Sequence, residues 1–335
     1  MSISIENATV LGAGSWGSGL ATILALRGLP TTIWGRDQKQ ADQINNKQAN
    51  PQYLPDVGFP PGITATTDIT ESLNADLILF VVPSGPFRGI ARQLAALEVR
   101  EQAVLVTCTK GIELETGNRM SEILTEMFPK HPVAVLSGPN HAEEVARQMP
   151  TAAVIGSQNP DVAQTLQDVF TLPWFRTYTS DDVAGIELGG TIKNVFAIAS
   201  GIAEGLGLGD NARAALVTRG LAEMIRVGVA LGGRPETFQG LSGIGDLIVT
   251  CYSEHSRNFR VGRMMGKGHS PDEIERSLGM VAEGVRNTAS VYQCAHQTNV
   301  RTPIIDEVHA VIYDDKPAGD ALSELLSRDP RPELE

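Results

Sequence analysis

Cysteine is scarce in this chain, and the few present fall into no useful spacing. Cys108, Cys251 and Cys294 are odd in number and far apart, which excludes a disulfide framework, and no Cys-x-x-Cys or paired cysteine and histidine spacing offers a zinc site. No metal is expected, and a reducing compartment, the cytoplasm, fits this usage. Positive charge is also short: 27 Lys and Arg stand against 39 Asp and Glu, a net charge of −12. A surface of that sign repels nucleic acid and anionic lipid, so neither is an expected partner. An anionic ligand therefore needs a local cluster of cations. Long apolar runs are missing as well. None approaches the roughly 20 residues needed to span a bilayer, and Met1 to Asn7 carries neither the basic nor the apolar segment of a secretion signal. Neither membrane insertion nor export is expected.

What remains is the composition of a folded globular protein, 42% hydrophobic and 20% charged over 335 residues. That length exceeds a usual single core and predicts two domains of roughly 100 to 200 residues each. From Ala8 to about Tyr178, short β-branched runs alternate with amphipathic stretches. Strands are predicted at Ala8–Leu11, Thr31–Trp34, Asp76–Val82, Ala103–Thr107, Val133–Leu136 and Ala152–Ile155, and continuous apolar runs of this kind read as a parallel sheet covered on both faces. Beyond Ser180 a helical period takes over. Ile192, Val195, Phe196, Ala199, Ile202 and Ala203 recur at helical spacing, and a second pattern from Asn211 to Leu231 stops at Gly232-Gly233 before Pro235. The expected fold class is α/β, a doubly wound, Rossmann-like parallel sheet over residues 1–180 followed by an all-helical substrate and catalytic domain over 181–335. The tail from Asp329 reads as frayed.

Gly12-Ala13-Gly14-Ser15-Trp16-Gly17 directly follows the first predicted strand and precedes a helix-compatible stretch, Ser18 to Arg27. Gly12 permits the tight turn, Gly14 lets a pyrophosphate approach the backbone, and Gly17 lets helix and strand pack closely, with free helix N–H groups facing the phosphate. In that context the glycines predict dinucleotide binding rather than a purely structural turn. At the end of the second strand the chain reads Trp34-Gly35-Arg36-Asp37. Arg36 there suits the 2′-phosphate of NADP, the favoured cofactor, while Asp37 keeps NAD open. The plainer reading of Arg36 is an ordinary loop residue.

Ligands of open α/β sheets sit beyond the carboxyl ends of the strands. Lys110 stands there, in Cys108-Thr109-Lys110-Gly111, and Ser137-Gly138-Pro139-Asn140 follows another strand. Lys193 is the sharper case, because it lies in a helix pattern dominated by Ile192, Val195, Phe196, Ile198 and Ala199. Burial disfavours an ammonium and brings its pKa toward the range useful for proton transfer. Its plainer reading is a stem on apolar surface with the charge reaching water at a helix end. Ser256 is a good N-cap, and Arg257 and Asn258 add donors beside free helix N–H groups, which suits a phosphate ester as well as simple capping. Asp246, after Gly243-Ile244-Gly245, could equally be an N-cap.

These motifs, with Thr191-Ile192-Lys193-Asn194-Val195, Gly243-Ile244-Gly245-Asp246-Leu247 and Val281-Ala282-Glu283-Gly284, resemble in order and spacing those of the bacterial-type NAD(P)-dependent glycerol-3-phosphate dehydrogenases over nearly the whole chain. The resemblance implies hydride transfer between NAD(P)H and dihydroxyacetone phosphate to give sn-glycerol 3-phosphate, a phospholipid precursor. It implies that Lys193 donates and accepts the proton, with Lys110 and Asp246 beside it at the reacting end. Gly138, Asn140, Ser256, Arg257 and Asn258 would hold the substrate with them. Gly12, Gly14, Ser15, Trp16, Gly17, Arg36, Lys110, Ala142, Arg257, Val281 and Glu283 would line the cofactor site. The chain departs from the pattern at Ser18-Gly19, where Thr-Ala is more usual, and at His141, where an aromatic or apolar residue is commoner, which leaves the contact around Asn140 open.

Two other readings stay in view. One is a dehydrogenase of hydroxyacid or phosphogluconate type, which would turn over carboxylated substrates. The other is a redox-sensing module that binds NAD(P)H without chemistry, which has no need of an acid-base lysine. Oligomeric state is not legible here; a homodimer is kept open.

Overall fold

The computed structural model describes residues 4–278, 283–330 and 332–333. Ala8–Leu11 (β1) contains no charged residue and is buried on both faces, as a central strand must be. It is joined by Thr31–Trp34 (β2), Ile63–Thr66 (β3), Leu77–Phe80 (β4), Val104–Thr107 (β5), Val133–Ser137 (β6), Thr151–Gly156 (β7) and Phe175–Ser180 (β8) in one sheet of order β3-β2-β1-β4-β5-β6-β7-β8. Helices cover both faces: Ser15–Leu26 (α1), Gln38–Lys47 (α2), Ser84–Ala95 (α3), Met120–Met127 (α4), Ala142–Ala146 (α5) and Pro160–Phe170 (α6). One core gathers Val10, Leu79 and Val106 with Leu20 and Leu24 of α1, and another gathers Leu11, Phe80 and Leu105 with Phe87 of α3.

The six predicted strands all occur, with β4 shorter at both ends than Asp76–Val82. The sheet is not wholly parallel as predicted, because β7 runs antiparallel to β6, with Leu136 opposite Ile155. Between them the chain holds only the five-residue α5 and turns back to re-enter the sheet from the end at which it left, the connection of an antiparallel neighbour. The two strands not predicted are edge strands. β3 and β8 pair on one side only, are partly exposed and carry Thr, Arg and Ser, so neither shows the continuous apolar run by which the central strands are recognised. The first helix begins at Ser15 rather than Ser18.

After Ser180 the chain is helical throughout its described residues: Val183–Gly205 (α7), Asp210–Ala230 (α8), Pro235–Phe238 (α9), Asp246–Tyr252 (α10), Arg257–Gly266 (α11), Pro271–Leu278 (α12), Glu283–Gln297 (α13), Pro303–Tyr313 (α14) and Ala318–Leu326 (α15). α7 is buried all round from Gly185 to Ala203, the signature of a helix at the centre of a core. Asp182 caps it by accepting from the Gly185 N–H at 3.0 Å. Glu187, also buried, ties it to the first half by accepting from the Ser121 N–H of α4 at 2.9 Å and from Arg119 at 3.2 Å.

α7 and α11 pack backbone against backbone. A Cβ on Gly201 would lie 2.1 Å from the Phe259 carbonyl oxygen and one on Gly205 2.4 Å from that of Arg263. Reciprocally, a Cβ on Gly262 would lie 2.0 Å from the Ile198 oxygen and one on Gly266 2.4 Å from that of Ile202. Glycines four apart on each helix thus fix how closely, and in which register, α11 meets α7. Backbone cannot rotate away as a side chain can, so Gly262→Ala should destabilise the fold by about 3 kcal/mol, the upper part of the overpacking range. Chemical denaturation checks this; a variant within about 0.5 kcal/mol of the parent would show that the helices part without cost.

Candidate active site

The turn after β1 is shaped for an anion. Gly12 has φ +130°, and a Cβ there would strike the Val81 carbonyl oxygen at 2.5 Å. At Gly14 a Cβ would meet nothing within 4 Å, so space is open above the backbone. α1 starts immediately afterwards with no side-chain cap, leaving its first N–H groups for a ligand. Two buried amides that sequence reasoning did not single out brace this loop. Gln40 and Asn50 donate to the Ala13 carbonyl at 2.7 and 2.9 Å. Ser15 and Trp16 open α1, with the Ser15 hydroxyl 3.3 Å from the Tyr53 carbonyl oxygen. Arg36 is exposed beyond β2. Asp37 is committed as the N-cap of α2, accepting from Lys39 and Gln40 N–H groups at 2.9 and 3.4 Å.

The two lysines meet on one carboxylate. Lys193, in mid-α7 and 5% exposed, donates to Asp246 Oδ1 at 2.5 Å. Lys110, from the loop after β5, donates to Asp246 Oδ2 at 2.6 Å and lies 3.4 Å from the Gly138 carbonyl oxygen. Lys193 is thus neither at a helix end nor reaching for water, and Lys110 is not a solvated surface residue. Asp246 is the first residue of α10 and 1% exposed, but its side chain serves the lysines instead of capping the helix. Thr250, one turn further along α10, accepts from Lys193 at 2.6 Å and donates to the Asp246 carbonyl at 2.6 Å. Gly190 makes room for this: a Cβ there would lie 2.7 Å from Ser137 Oγ and 3.5 Å from Lys110 Cγ.

Burial sets the electrostatics. Loss of hydration pushes the Lys193 ammonium down to about 7; the Asp246 charge opposes that shift and the Lys110 charge adds to it. Burial pushes the Asp246 carboxyl up, but the two ammonium groups together outweigh it and hold it below its usual value. His141, just before α5, is pushed down by burial and then by the Lys193 charge; its ring stands 5.7 Å from that of His255.

Around this centre the other expected residues are distributed unevenly. Ser256 accepts from the Phe259 N–H at 3.2 Å and caps α11, whose first residue, Arg257, is exposed. Asn258 spends its amide inside the protein, donating to Asn194 at 2.9 Å and accepting from the Gly284 N–H at 3.0 Å. It thereby links the residue after Lys193 to the start of α13. Asn140 donates to the Ala152 carbonyl at 2.8 Å, and its buried Oδ1 has no partner. Ala142 opens α5 and packs toward α1, its oxygen 3.7 Å from where a Gly19 Cβ would lie. Glu283 accepts from the Ser84 hydroxyl at 2.7 Å. Val281 lies outside the described residues.

Two family models match the chain, NAD-dependent glycerol-3-phosphate dehydrogenase N-terminus over residues 7–163 and the C-terminus of the same family over 182–323. The NAD(P)+ glycerol-3-phosphate dehydrogenase of Moorella thermoacetica is 47% identical over 331 residues, 98% of each chain. The chain belongs to the NAD-dependent glycerol-3-phosphate dehydrogenase family. The enzyme of the same name from Enterococcus faecalis is 44% identical over 334 residues, again 98% of each. The crystal structure of glycerol-3-phosphate dehydrogenase from Coxiella burnetii superposes with a TM-score of 0.93 at 37% identity, covering 97% of this chain and 99% of that one.

In this glycerol-3-phosphate dehydrogenase family member, the residue that sequence reasoning missed closest to the lysines is Thr250. Its signal was available: it stands four residues after Asp246 on one helix and so on the same face. Asp246→Asn would remove the charge that favours the Lys193 ammonium form and take the ionic partner from both lysines. Breaking such a buried arrangement typically costs about 3–5 kcal/mol, so a large loss of unfolding free energy is expected. Denaturant unfolding tests it; stability within about 1 kcal/mol of the parent would contradict the bridging role of this carboxylate.

Proposed function

We propose that this chain is an NAD(P)H-dependent dehydrogenase that reduces dihydroxyacetone phosphate to sn-glycerol 3-phosphate, the precursor of phospholipids. The observation that carries the reading is the Lys193 ammonium buried on Asp246 with Lys110 on the other oxygen. The open turn at Gly14 and the uncapped α1 fit a cofactor pyrophosphate, held by Gly12, Gly14, Ser15, Trp16 and Gly17. Asp37 commits one carboxylate oxygen to capping α2, and the exposed Arg36 beside it suits a 2′-phosphate, which favours NADP over NAD. Ala142, Arg257, Val281 and Glu283 complete that site.

When bound, the reduced nicotinamide supplies hydride to the substrate carbonyl carbon. Negative charge growing on the carbonyl oxygen is met by the Lys193 ammonium, which gives up its proton to that oxygen. Asp246 and Thr250 hold the amine in place, and Lys110 adds a second positive group beside it. In the reverse direction neutral Lys193 takes the hydroxyl proton. Arg257 and the N-terminus of α11 anchor the phosphate, with Ser256 and Asn258 shaping that turn, and Gly138 and Asn140 border the carbon chain.

In this reading residues 1–180 carry most of the cofactor site and 181–335 carry Lys193, Asp246 and the phosphate anchor, with Lys110, Gly138 and Asn140 reaching the substrate from the first unit and Arg257, Val281 and Glu283 reaching the cofactor from the second. The three cysteines are buried and free, which favours the cytoplasm, and no described helix is long and apolar enough to cross a membrane. A homodimer stays a proposal.

One assay series tests the reading. The parent chain should turn over dihydroxyacetone phosphate with NADPH, and less efficiently with NADH. Lys193→Ala should lose about 10²–10⁴-fold in turnover with NADPH affinity unchanged. Because the ammonium form is the acid, kcat/KM for reduction should fall as pH rises through about 7, while glycerol 3-phosphate oxidation rises over the same range. Near-parental turnover by Lys193→Ala would end the assignment.

A further inference from the structure

α13 reaches from the helical half to the loops after β4 and β5, and two of its side chains make that crossing. Glu283 accepts from Ser84 at the start of α3, from the hydroxyl at 2.7 Å and the N–H at 3.4 Å. Asn287, one turn along and so on the same face of the helix, donates from Nδ2 to the Lys110 carbonyl at 3.2 Å. Asn287 is fully buried, and its Oδ1 has no partner. A buried acceptor left unpaired is unfavourable and seldom found in native interiors. Turning the amide over would set its oxygen against the Lys110 oxygen, so that carbonyl dictates the orientation.

The loop that bears Lys110 is also restrained from the sheet side, and Asn287 adds a hydrogen bond to it from the helical half. Thr109 is tied to the sheet side through its hydroxyl, 2.7 Å from the Val82 oxygen. At Gly111 there is no side chain to pack, and a Cβ would lie 2.4 Å from that of Ser84. The Lys110 side chain is 23% exposed, and its four-carbon stem has many rotamers unless the backbone beneath it is fixed. We propose that Asn287 is a positioning residue for the reaction, holding the Lys110 backbone so that the Lys110 ammonium stays on Asp246 beside Lys193. Glu283, a cofactor residue in the reading above, shares the helix with Asn287, so the cofactor end of the cleft and the lysine loop are held by one rigid element. The inference rests on Lys193 being the proton donor. If Lys110 drifts, Lys193 loses a like charge and gains a larger share of Asp246, and both changes favour its ammonium form. Among the described residues, the Lys193 charge also shifts His141 and Cys251.

The test uses the full chain with Asn287→Leu, close in size but lacking the donor, and Asn287→Ala in case leucine prevents folding. Folding is followed by thermal melting, NADPH binding by fluorescence titration, and kcat/KM for dihydroxyacetone phosphate from pH 5.5 to 9. The expected result is a loss of about tenfold or more in kcat/KM at neutral pH, NADPH affinity within about twofold of the parent, and an alkaline limb moved to higher pH. A folded variant whose pH profile and kcat/KM match the parent would overturn the proposal, as would a loss explained wholly by weaker NADPH binding. A parent chain that does not reduce dihydroxyacetone phosphate would instead sink the functional reading itself.

Discussion

Two ammonium groups share the two oxygens of one buried carboxylate, and the rest of the molecule serves that arrangement. Burial pushes Lys193 toward its neutral form and Asp246 toward its acid form; each charge opposes that shift in its partner, and Lys110 favours the Asp246 carboxylate while disfavouring the Lys193 ammonium. With both lysines charged the cluster carries one net positive charge, buried at Lys193 and Asp246 and partly exposed at Lys110. Such a charge is costly in the resting protein and becomes favourable when negative charge develops beside it, which is how a site binds a transition state better than a substrate. The surrounding chain has a net charge of −12, so the cluster is a local exception to the field of the whole protein.

Holding three ionised groups from three segments within hydrogen-bonding distance is a problem of backbone placement. α7 solves part of it by being buried on every side, anchored at its start by Asp182 and to the sheet half by Glu187. The glycines of α7 and α11 solve another part. By letting main chain touch main chain, they leave no side-chain layer whose rotamers could blur the separation of Lys193 from the α11 terminus. The Asn194, Asn258 and Gly284 hydrogen bonds continue the same logic to α13.

Much of this was legible in the sequence, and the parts that were not have physical reasons. Central strands announce themselves because burial on both faces demands unbroken apolar runs, as in Leu77–Phe80. Edge strands such as Ile63–Thr66 and Phe175–Ser180 are under no such demand. The reversal of β7 leaves no mark on composition, because an apolar run such as Ala152–Ile155 suits a parallel or an antiparallel neighbour alike. Lys193 stood out because a cation in an apolar helix needs a reason. Asp246 did not, since an acid after two glycines is an equally good cap, and only the fold shows its oxygens turned toward two lysines. Gln40, Asn50 and Asn287 carry no local signal strong enough to mark them, because their importance lies in contacts with residues distant in sequence, whereas Thr250 was marked by its one-turn spacing from Asp246.

The central claim is that burial, balanced by one shared carboxylate, makes Lys193 an acid matched to neutral pH. Its most direct test is an NMR titration of the Lys193 side chain in the isotopically labelled protein, assigned with a Lys193→Arg variant. The account predicts a transition close to 7. A transition near the ordinary lysine value of about 10.4 would contradict it.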